Sequence, residues 1–208
     1  MLGIGIDIGS TATKVAAVDE RGAVVDSWMN PTGFSSVEAA NAARAHLEDA
    51  GLLAQDHSVV ATGYGRNAVS YADKVVTEIT CHGKGAASLF GPDGAVIDVG
   101  GQDTKVIWLS DGVVKKFLMN DKCAAGTGRF LEIMADRLAV SQLELADLAR
   151  FGKPTTISSM CTVFAESEVI SLVGRGEPRE NIARGVIDSV VGRVAAMASG
   201  TKGMPVYL

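Results

Sequence analysis

Two copies of one short loop motif, D-x-G-x-x-x-T-K, constrain the fold of this chain more than any other feature of its sequence. Residues 7–14 read Asp-Ile-Gly-Ser-Thr-Ala-Thr-Lys, and residues 98–105 read Asp-Val-Gly-Gly-Gln-Asp-Thr-Lys. Each copy follows an apolar run typical of a β-strand and leads into another apolar segment that ends at a glycine. The copies begin 91 residues apart, about the length of a small domain. The repeat therefore predicts two similar halves that face one another across a nucleotide.

The residue types in both copies suit phosphate and a divalent cation. Asp7 and Asp98 stand where a predicted strand ends, and a carboxylate there can hold Mg²⁺ directly or through its waters. Glycines let the backbone turn tightly and bring N–H groups near phosphate oxygens, while hydroxyl groups and lysines add donors and positive charge. An ordinary hairpin turn explains a single copy equally well, but two copies in matching context favour phosphate binding. The candidate nucleotide contacts are Gly9, Ser10, Thr11, Ala12, Thr13, Lys14, Asp98, Gly100, Gly101, Thr104 and Lys105.

Turn signals divide the chain at Gly91-Pro92-Asp93-Gly94, which predicts a first half at residues 1–92 and a second half at residues 93–208. Each half opens with the same three-strand pattern, and helices dominate the rest of the second half. We therefore expect an α/β fold with a mixed sheet in each half.

Local signals place the individual elements. Ser35 or Ser36 can cap the first helix, and Pro178 suits the first turn of the last one. The predicted strands are residues 2–6, 14–18, 23–29, 58–62, 75–79, 95–99, 104–109, 113–118 and 204–208. The predicted helices are residues 37–50, 81–89, 127–138, 142–149, 163–173 and 178–198.

Composition excludes several functional classes. The chain of 208 residues carries a net charge of −5 with scattered basic residues, which argues against a nucleic-acid surface. Apolar residues make up 47% of it, but no apolar run is long enough to span a bilayer, so we expect no membrane partner. The opening lacks the basic stretch of a signal peptide, and three widely spaced cysteines do not form a disulfide framework. These features favour a reducing cytoplasm.

Two of the cysteines, Cys123 and Cys161, each come just before a helix-forming segment. The positive end of a helix macrodipole stabilises a thiolate or an anionic cluster. Two thiolates are too few for a four-coordinate site, but a two-fold dimer supplies four, which predicts a [4Fe–4S] cluster on the dimer axis. From their spacing alone, burial as small apolar residues is the favoured interpretation of both cysteines, because free cysteine is often buried in this way.

A family resemblance selects between these interpretations. The loop pair resembles the superfamily of actin, hexokinase and the heat-shock chaperone ATPases. The wider sequence is similar to the activators of 2-hydroxyacyl-CoA dehydratases, a family of ATPases that includes subunits of benzoyl-CoA reductase, and the likeness covers essentially the whole chain. The segments that carry it are Gly3–Lys14, Val76–Gly85, Asp98–Lys105, Asn120–Glu132 and Ile157–Val169.

The resemblance implies two actin-like, ribonuclease H-like halves with ATP or ADP and Mg²⁺ in a cleft between them. Asp7 would act in catalysis, and Gln102 or Asp103 would orient the attacking water, unless these last two are only polar turn residues. Cys123 and Cys161 would hold one [4Fe–4S] cluster per homodimer. The implied activity passes one electron from reduced ferredoxin or flavodoxin to a partner dehydratase or reductase.

The resemblance also predicts a departure from the family pattern and leaves rival functions open. Family members continue from a strand like Met204–Leu208 into a Gly-Gly loop that contacts adenosine, so we expect the second half to lack that segment. A zinc-stapled dimeric ATPase, a small-molecule kinase of the same superfamily and an inactive remnant are the rivals. Metal analysis and nucleotide titration distinguish them.

Overall fold

The computed structural model describes residues 1–158 and 161–208; Ser159 and Met160, which belong to the second cysteine segment, lie outside the described residues. The chain divides into two compact units, Met1–Gly85 and Ala86–Leu208. The assignment of residues 1–92 and 93–208 to two ATPase halves stays a prediction.

The first unit contains a five-stranded mixed sheet. Its strands are β1 (Leu2–Ile8), β2 (Ala12–Val18), β3 (Val24–Pro31), β4 (His57–Thr62) and β5 (Lys74–Val75). Their order is β3-β2-β1-β4-β5, in which β1, β2 and β3 form an antiparallel meander. β4 lies parallel to β1, so the carboxyl ends of these two strands meet at one edge of the sheet.

One helix, α1 (Ser36–Asp49), makes the crossover from β3 to β4. The side chain of Ser35 accepts a hydrogen bond from the backbone N–H of Glu38, which confirms the predicted cap. Ala39, Ala43 and Leu47 recur every four residues, so they share one helix face. That face packs in the same core as the buried isoleucines of β1, which covers one side of the sheet.

The second unit repeats this strand pattern. Helix α2 (Glu78–Phe90) leads to β6 (Gly94–Val99), β7 (Thr104–Ser110) and β8 (Val113–Asn120), and β9 (Val206–Tyr207) ends the series. The order is β8-β7-β6-β9, with an antiparallel meander and with β9 parallel to β6, as β4 is to β1. The duplication in the sequence is therefore also a duplication of strand topology, and the predicted mixed sheet in each half is confirmed.

Four helices of the second unit form its largest core. They are α3 (Gly128–Arg137), α4 (Gln142–Phe151), α5 (Thr162–Gly174) and α6 (Arg179–Met197). Phe130, Met134, Leu145 and Ile182 are completely or almost completely buried where these helices pack. Each buried leucine- or phenylalanine-sized side chain contributes about 1.5–3 kcal/mol of hydrophobic stabilisation, so this core holds the four helices together.

Several local predictions were wrong at their boundaries; the strand expected at residues 204–208, for example, covers only Val206–Tyr207. The strand expected at residues 75–79 covers only Lys74–Val75, because the Thr77 hydroxyl accepts a hydrogen bond from the Thr80 backbone N–H and α2 starts at Glu78. Pro178 is the residue before α6 instead of a member of its first turn. In the described part of the chain, no helix is both long enough and apolar enough to cross a membrane.

Candidate phosphate loops and cysteine segments

The first phosphate loop joins β1 to β2, and its motif spacing follows from the hairpin register. Asp7 lies one residue before the end of β1, directly across from Lys14 of β2. Side chains of directly opposed residues lie on the same face of a sheet. The Lys14 ammonium accordingly lies 3.1 Å from Asp7 Oδ2, with the lysine side chain about half exposed.

A chain of hydrogen bonds fixes the shape of this loop. The Thr32 hydroxyl donates its one proton to the Gly9 carbonyl at 2.7 Å. In its contact with Thr13 it must therefore accept, so the buried Thr13 hydroxyl donates to Thr32 Oγ1 at 3.0 Å. The Thr13 hydroxyl is thus committed to the protein itself. Ser10 and Thr11 are the loop hydroxyl residues nearer the solvent, and their contact with phosphate stays a prediction.

The second loop joins β6 to β7 and differs from the first in its charges. Asp98 again lies across from Lys105, and the Lys105 ammonium lies 3.2 Å from Asp98 Oδ2. It also lies 2.5 Å from Asp103 Oδ1, at a position that Ala12 occupies in the first copy. Lys105 is only 1% exposed, whereas Lys14 is 56% exposed. The second loop therefore contains a buried lysine between two carboxylates.

This charge cluster changes the interpretation of Asp103. Its carboxylate is buried and paired with Lys105, and a Cβ on Gly100 would lie only 2.7 Å from Asp103 Oδ1. A carboxylate held in this way is suited to positioning Lys105. Gln102 is exposed at the tip of the loop, so its side chain is the more accessible of the two candidates for orienting a water.

Hydrogen bonds attach the second loop to the segment that contains Cys123. The backbone N–H groups of Gly128 and Arg129, at the start of α3, donate to the carbonyls of Gly100 and Gly101 at 2.9 Å each. The buried Thr104 hydroxyl donates to the Gly126 carbonyl at 2.6 Å. Three hydrogen bonds therefore join the loop to residues 126–129.

The other end of the same segment is also held. The Asn120 side-chain amide, at the end of β8, donates to the carbonyls of Cys123 at 2.8 Å and Ala125 at 3.2 Å. We call residues 120–127 the Cys123 segment. It spans the interval between β8 and α3, and its two ends are tied to the sheet and to the second phosphate loop.

The two cysteines differ in their relation to the helices. Cys161 is the N-cap residue of α5, as predicted, but Cys123 lies five residues before Gly128, and Thr127 is the N-cap of α3. Cys123 was expected at or just before a helix N-terminus, and the turn at Ala124–Gly126 separates it from the start of α3. Both are exposed while Cys81 is half-buried, and in the described part of the chain none of the three forms a disulfide.

A turn that the sequence analysis did not include among the site residues lies beside the first loop. We call residues 62–66, which begin at the last residue of β4, the Thr62–Arg66 turn. The Gly65 backbone N–H donates to the Ile8 carbonyl at 2.9 Å, and a Cβ on Gly63 would lie 2.3 Å from Asp7 Oδ1. The signal that could have found it is the strand order, since ligands of α/β sheets bind at the carboxyl ends of parallel strands.

The carboxylate of Asp7 fits a divalent cation. Its Oδ2 faces Lys14, whereas Oδ1 is buried and has no hydrogen-bond partner among the described residues. Leaving a buried acceptor unsatisfied costs about 1–3 kcal/mol. A hydrated Mg²⁺, which uses few carboxylates and keeps most of its waters, satisfies this oxygen.

The Gly63→Ala variant should lose far more stability than the Gly33→Ala variant. Both glycines have a left-handed φ, +86° and +68°, so alanine is strained at each. Nothing lies within 4 Å of a Cβ on Gly33, whereas a Cβ on Gly63 meets Asp7 Oδ1 and the Ile8 carbonyl oxygen at 2.5 Å or less. We expect a loss of about 1 kcal/mol for Gly33→Ala and about 3 kcal/mol or more for Gly63→Ala in urea unfolding. Equal losses would show that this close approach is absent.

Comparisons with known proteins agree with this geometry. A model of the BadF/BadG/BcrA/BcrD ATPase family matches residues 4–207. The (R)-2-hydroxyglutaryl-CoA dehydratase activating ATPase of Acidaminococcus fermentans is 43% identical over 199 residues, which cover 94% of this chain and 76% of that protein.

Solved structures show the same similarity. Component A of the A. fermentans (R)-2-hydroxyglutaryl-CoA dehydratase superposes with a TM-score of 0.90 at 41% identity, over 99% of this chain and 81% of that one. The activator of the 2-hydroxyisocaproyl-CoA dehydratase from Clostridium difficile, solved with bound ADPNP, superposes with a TM-score of 0.87 at 40% identity, over 96% of this chain and 76% of that one.

Proposed function

The chain belongs to the BadF/BadG/BcrA/BcrD ATPase family, and we propose that it is an ATP-dependent reductive activator of a 2-hydroxyacyl-CoA dehydratase or a related reductase. The family resemblance and the actin-like ATPase fold predicted from the sequence are both confirmed. The observation that carries the functional proposal is the direct attachment of a phosphate loop to a segment with an exposed cysteine.

ATP and Mg²⁺ are the proposed ligands of the two loops. Asp7 presents a carboxylate oxygen to the cation, and Lys14 holds the other oxygen of that carboxylate. Lys105 fixes Asp98 in the same way in the second copy, and Asp103 fixes Lys105. Gln102 is the proposed residue that orients the attacking water, from its exposed position at the loop tip.

One [4Fe–4S] cluster per homodimer is the proposed redox group. Cys123 and Cys161 are both exposed, and two copies of the chain supply the four thiolates that such a cluster requires. The backbone N–H groups at the start of α5 place positive charge beside Cys161, which favours an anionic ligand set. When bound, the cluster carries a single electron, at a potential set by its charge, hydrogen bonds and solvent exposure.

Exposed apolar side chains on α5 support the homodimer. Val163, Phe164 and Ile170 are each more than half exposed, and they lie on the helix that Cys161 caps. Val163 and Ile170 are seven residues apart and so share one helix face, which a two-fold axis near Cys161 would bury against its own copy.

The nucleotide would act on the cysteines through the second loop. A shift of Gly100, Gly101 or Thr104 changes the position of residues 126–129, to which their backbone and hydroxyl groups are bonded. The Cys123 segment then moves relative to β8. In this proposal the movement alters the surroundings of the cysteine thiolates, and an electron received from reduced ferredoxin or flavodoxin passes to the partner enzyme.

Thr104→Val should weaken the nucleotide response of the cysteine site. The valine keeps the volume but removes the hydroxyl that donates to Gly126. The measurement is the rate at which a chelator extracts iron, with and without saturating ATP. We expect the difference between the two rates to be at least about threefold smaller in the variant, because one net hydrogen bond contributes about 1 kcal/mol. The matched control is Thr201→Val, another buried threonine, which donates to the Ala198 carbonyl. A full response in Thr104→Val would contradict the proposed route.

Anaerobic reconstitution tests the function as a whole. The expected results are a brown dimer, a reduced iron–sulfur EPR signal and ATP-dependent activation of a purified 2-hydroxyacyl-CoA dehydratase in the presence of reduced ferredoxin. Zinc in place of iron would support the rival function, a dimeric ATPase joined by a zinc ion, because four thiolates also suit Zn²⁺. Iron without any ATP-dependent activation of the partner would overturn the electron-transfer role.

A further inference from the structure

We propose that Thr62 is a residue of the divalent-cation site, acting together with Asp7. This inference rests on the proposed binding of Mg²⁺ at Asp7. The Thr62–Arg66 turn lies outside both copies of the loop motif, which cover residues 7–14 and 98–105.

The strand register brings the two side chains together. Thr62 is the last residue of β4 and pairs directly with Asp7 of the parallel strand β1. Paired residues on neighbouring strands extend to the same face of the sheet. Both side chains therefore lie on one face, at the edge where the two parallel strands end.

Each of the two side chains has one buried oxygen that lacks a hydrogen bond. Thr62 Oγ1 and Asp7 Oδ1 have no hydrogen-bond partner among the described residues, and Thr62 is only 9% exposed. Buried polar groups in proteins are almost always satisfied by protein or by ordered water. A hydrated cation satisfies the two oxygens together, because it takes the carboxylate and its waters can donate to the hydroxyl oxygen.

The glycines of the turn let its backbone pack closely against the end of β1. A Cβ on Gly63 would lie 2.3 Å from Asp7 Oδ1, and a Cβ on Gly65 would lie 2.4 Å from Ile8 Cγ2. The backbone of the turn thus approaches the end of β1 more closely than a larger residue allows. Because residue 63 is glycine, no side-chain atom of that residue is placed against Asp7 Oδ1.

Mn²⁺ titration of the nucleotide-free protein tests the inference, with free Mn²⁺ measured by EPR. Groups that hold a metal's own ligands typically change affinity by about 10–100-fold. We expect Thr62→Val to bind Mn²⁺ at least about tenfold more weakly than wild type, Thr62→Ser to restore binding, and Thr201→Val to behave as wild type. Wild-type affinity in Thr62→Val, or no Mn²⁺ uptake by the wild type, would overturn the inference.

Two further measurements separate this inference from the proposed function. Thr62→Val should unfold at the wild-type temperature or above, since the hydroxyl that it removes has no partner among the described residues; a lower temperature would mean that the hydroxyl has a structural partner and would count against the inference. ADP binding in EDTA tests the nucleotide site alone. Retained ADP binding with unchanged Mn²⁺ affinity in Thr62→Val would reject the role of Thr62 and leave the proposed function standing.

Discussion

Replacing Cys123 and Cys161 by serine should abolish iron binding completely. The wild-type protein, reconstituted anaerobically, should hold about four iron atoms per two chains, because each chain supplies two exposed thiols and a [4Fe–4S] cluster takes four. Serine preserves the size and polarity of each side chain but is a poor ligand for iron. We expect the double variant to be colourless, with iron content at the background of the assay.

The third cysteine provides the control for this experiment. Cys81 lies within α2, half-buried, so Cys81→Ser should retain the full iron content. Circular dichroism of all variants tests whether loss of iron follows from loss of folding. A brown Cys123→Ser/Cys161→Ser protein, or a colourless wild type after reconstitution, would contradict the cluster assignment.

Lys105→Met should cause the largest loss of stability of any single change in the phosphate loops. The lysine is 1% exposed and lies within 3.2 Å of both Asp98 and Asp103, so its removal leaves two carboxylates together without their cation. Breaking a buried ion pair by removing one partner costs about 3–5 kcal/mol. We expect a decrease of this size in the free energy of unfolding of the second unit, measured in urea.

The duplicated motif supplies a matched control. Lys14→Met removes the equivalent lysine from the first copy, but Lys14 is 56% exposed and its pair with Asp7 is worth at most about 1 kcal/mol. Adding Asp103→Asn to Lys105→Met should recover part of the stability, because it removes one of the uncompensated charges. Equal losses for the two lysines would show that Lys105 is not buried between carboxylates.

Tryptophan fluorescence can follow each unit separately. The chain has two tryptophans, Trp28 in β3 of the first unit and Trp108 in β7 of the second. In a Trp28→Phe background the signal comes from Trp108 alone, on the same strand as Lys105. The unfolding midpoint of that signal should shift in Lys105→Met and stay in place in Lys14→Met.

Much of the fold was predictable because its signals are local. The repeated motif, the apolar runs before and after it, and Ser35 at the start of α1 depend on neighbours only a few residues away. The strand expected at residues 75–79 missed its boundary because of one capping interaction by Thr77. β-Branched residues alone cannot show whether a hydroxyl will cap a helix.

The roles of individual loop residues were less predictable, because the same residue type at the same motif position occurs in different environments. The motif presents Lys14 and Lys105 as equivalent, yet one is exposed and the other is buried between two carboxylates. Thr13 and Thr104 likewise occupy the same motif position. The Thr13 hydroxyl is hydrogen-bonded to Thr32, whereas the Thr104 hydroxyl donates to Gly126 of the Cys123 segment. Burial and partners come from residues distant in the chain, which the motif does not contain.

The sequence by itself determined the duplicated strand pattern, the family and the candidate residues for binding phosphate, a cation and iron, because residue type and spacing fix local geometry and chemistry. Only the tertiary structure decided which of those candidates lie together. Pairing of β1 with β4 places Thr62 beside Asp7 across more than fifty residues of chain, and packing of α3 against the second loop connects Gly100 to Gly128. Such contacts depend on how strands and helices are arranged in space, and that arrangement is set by burial of the whole core.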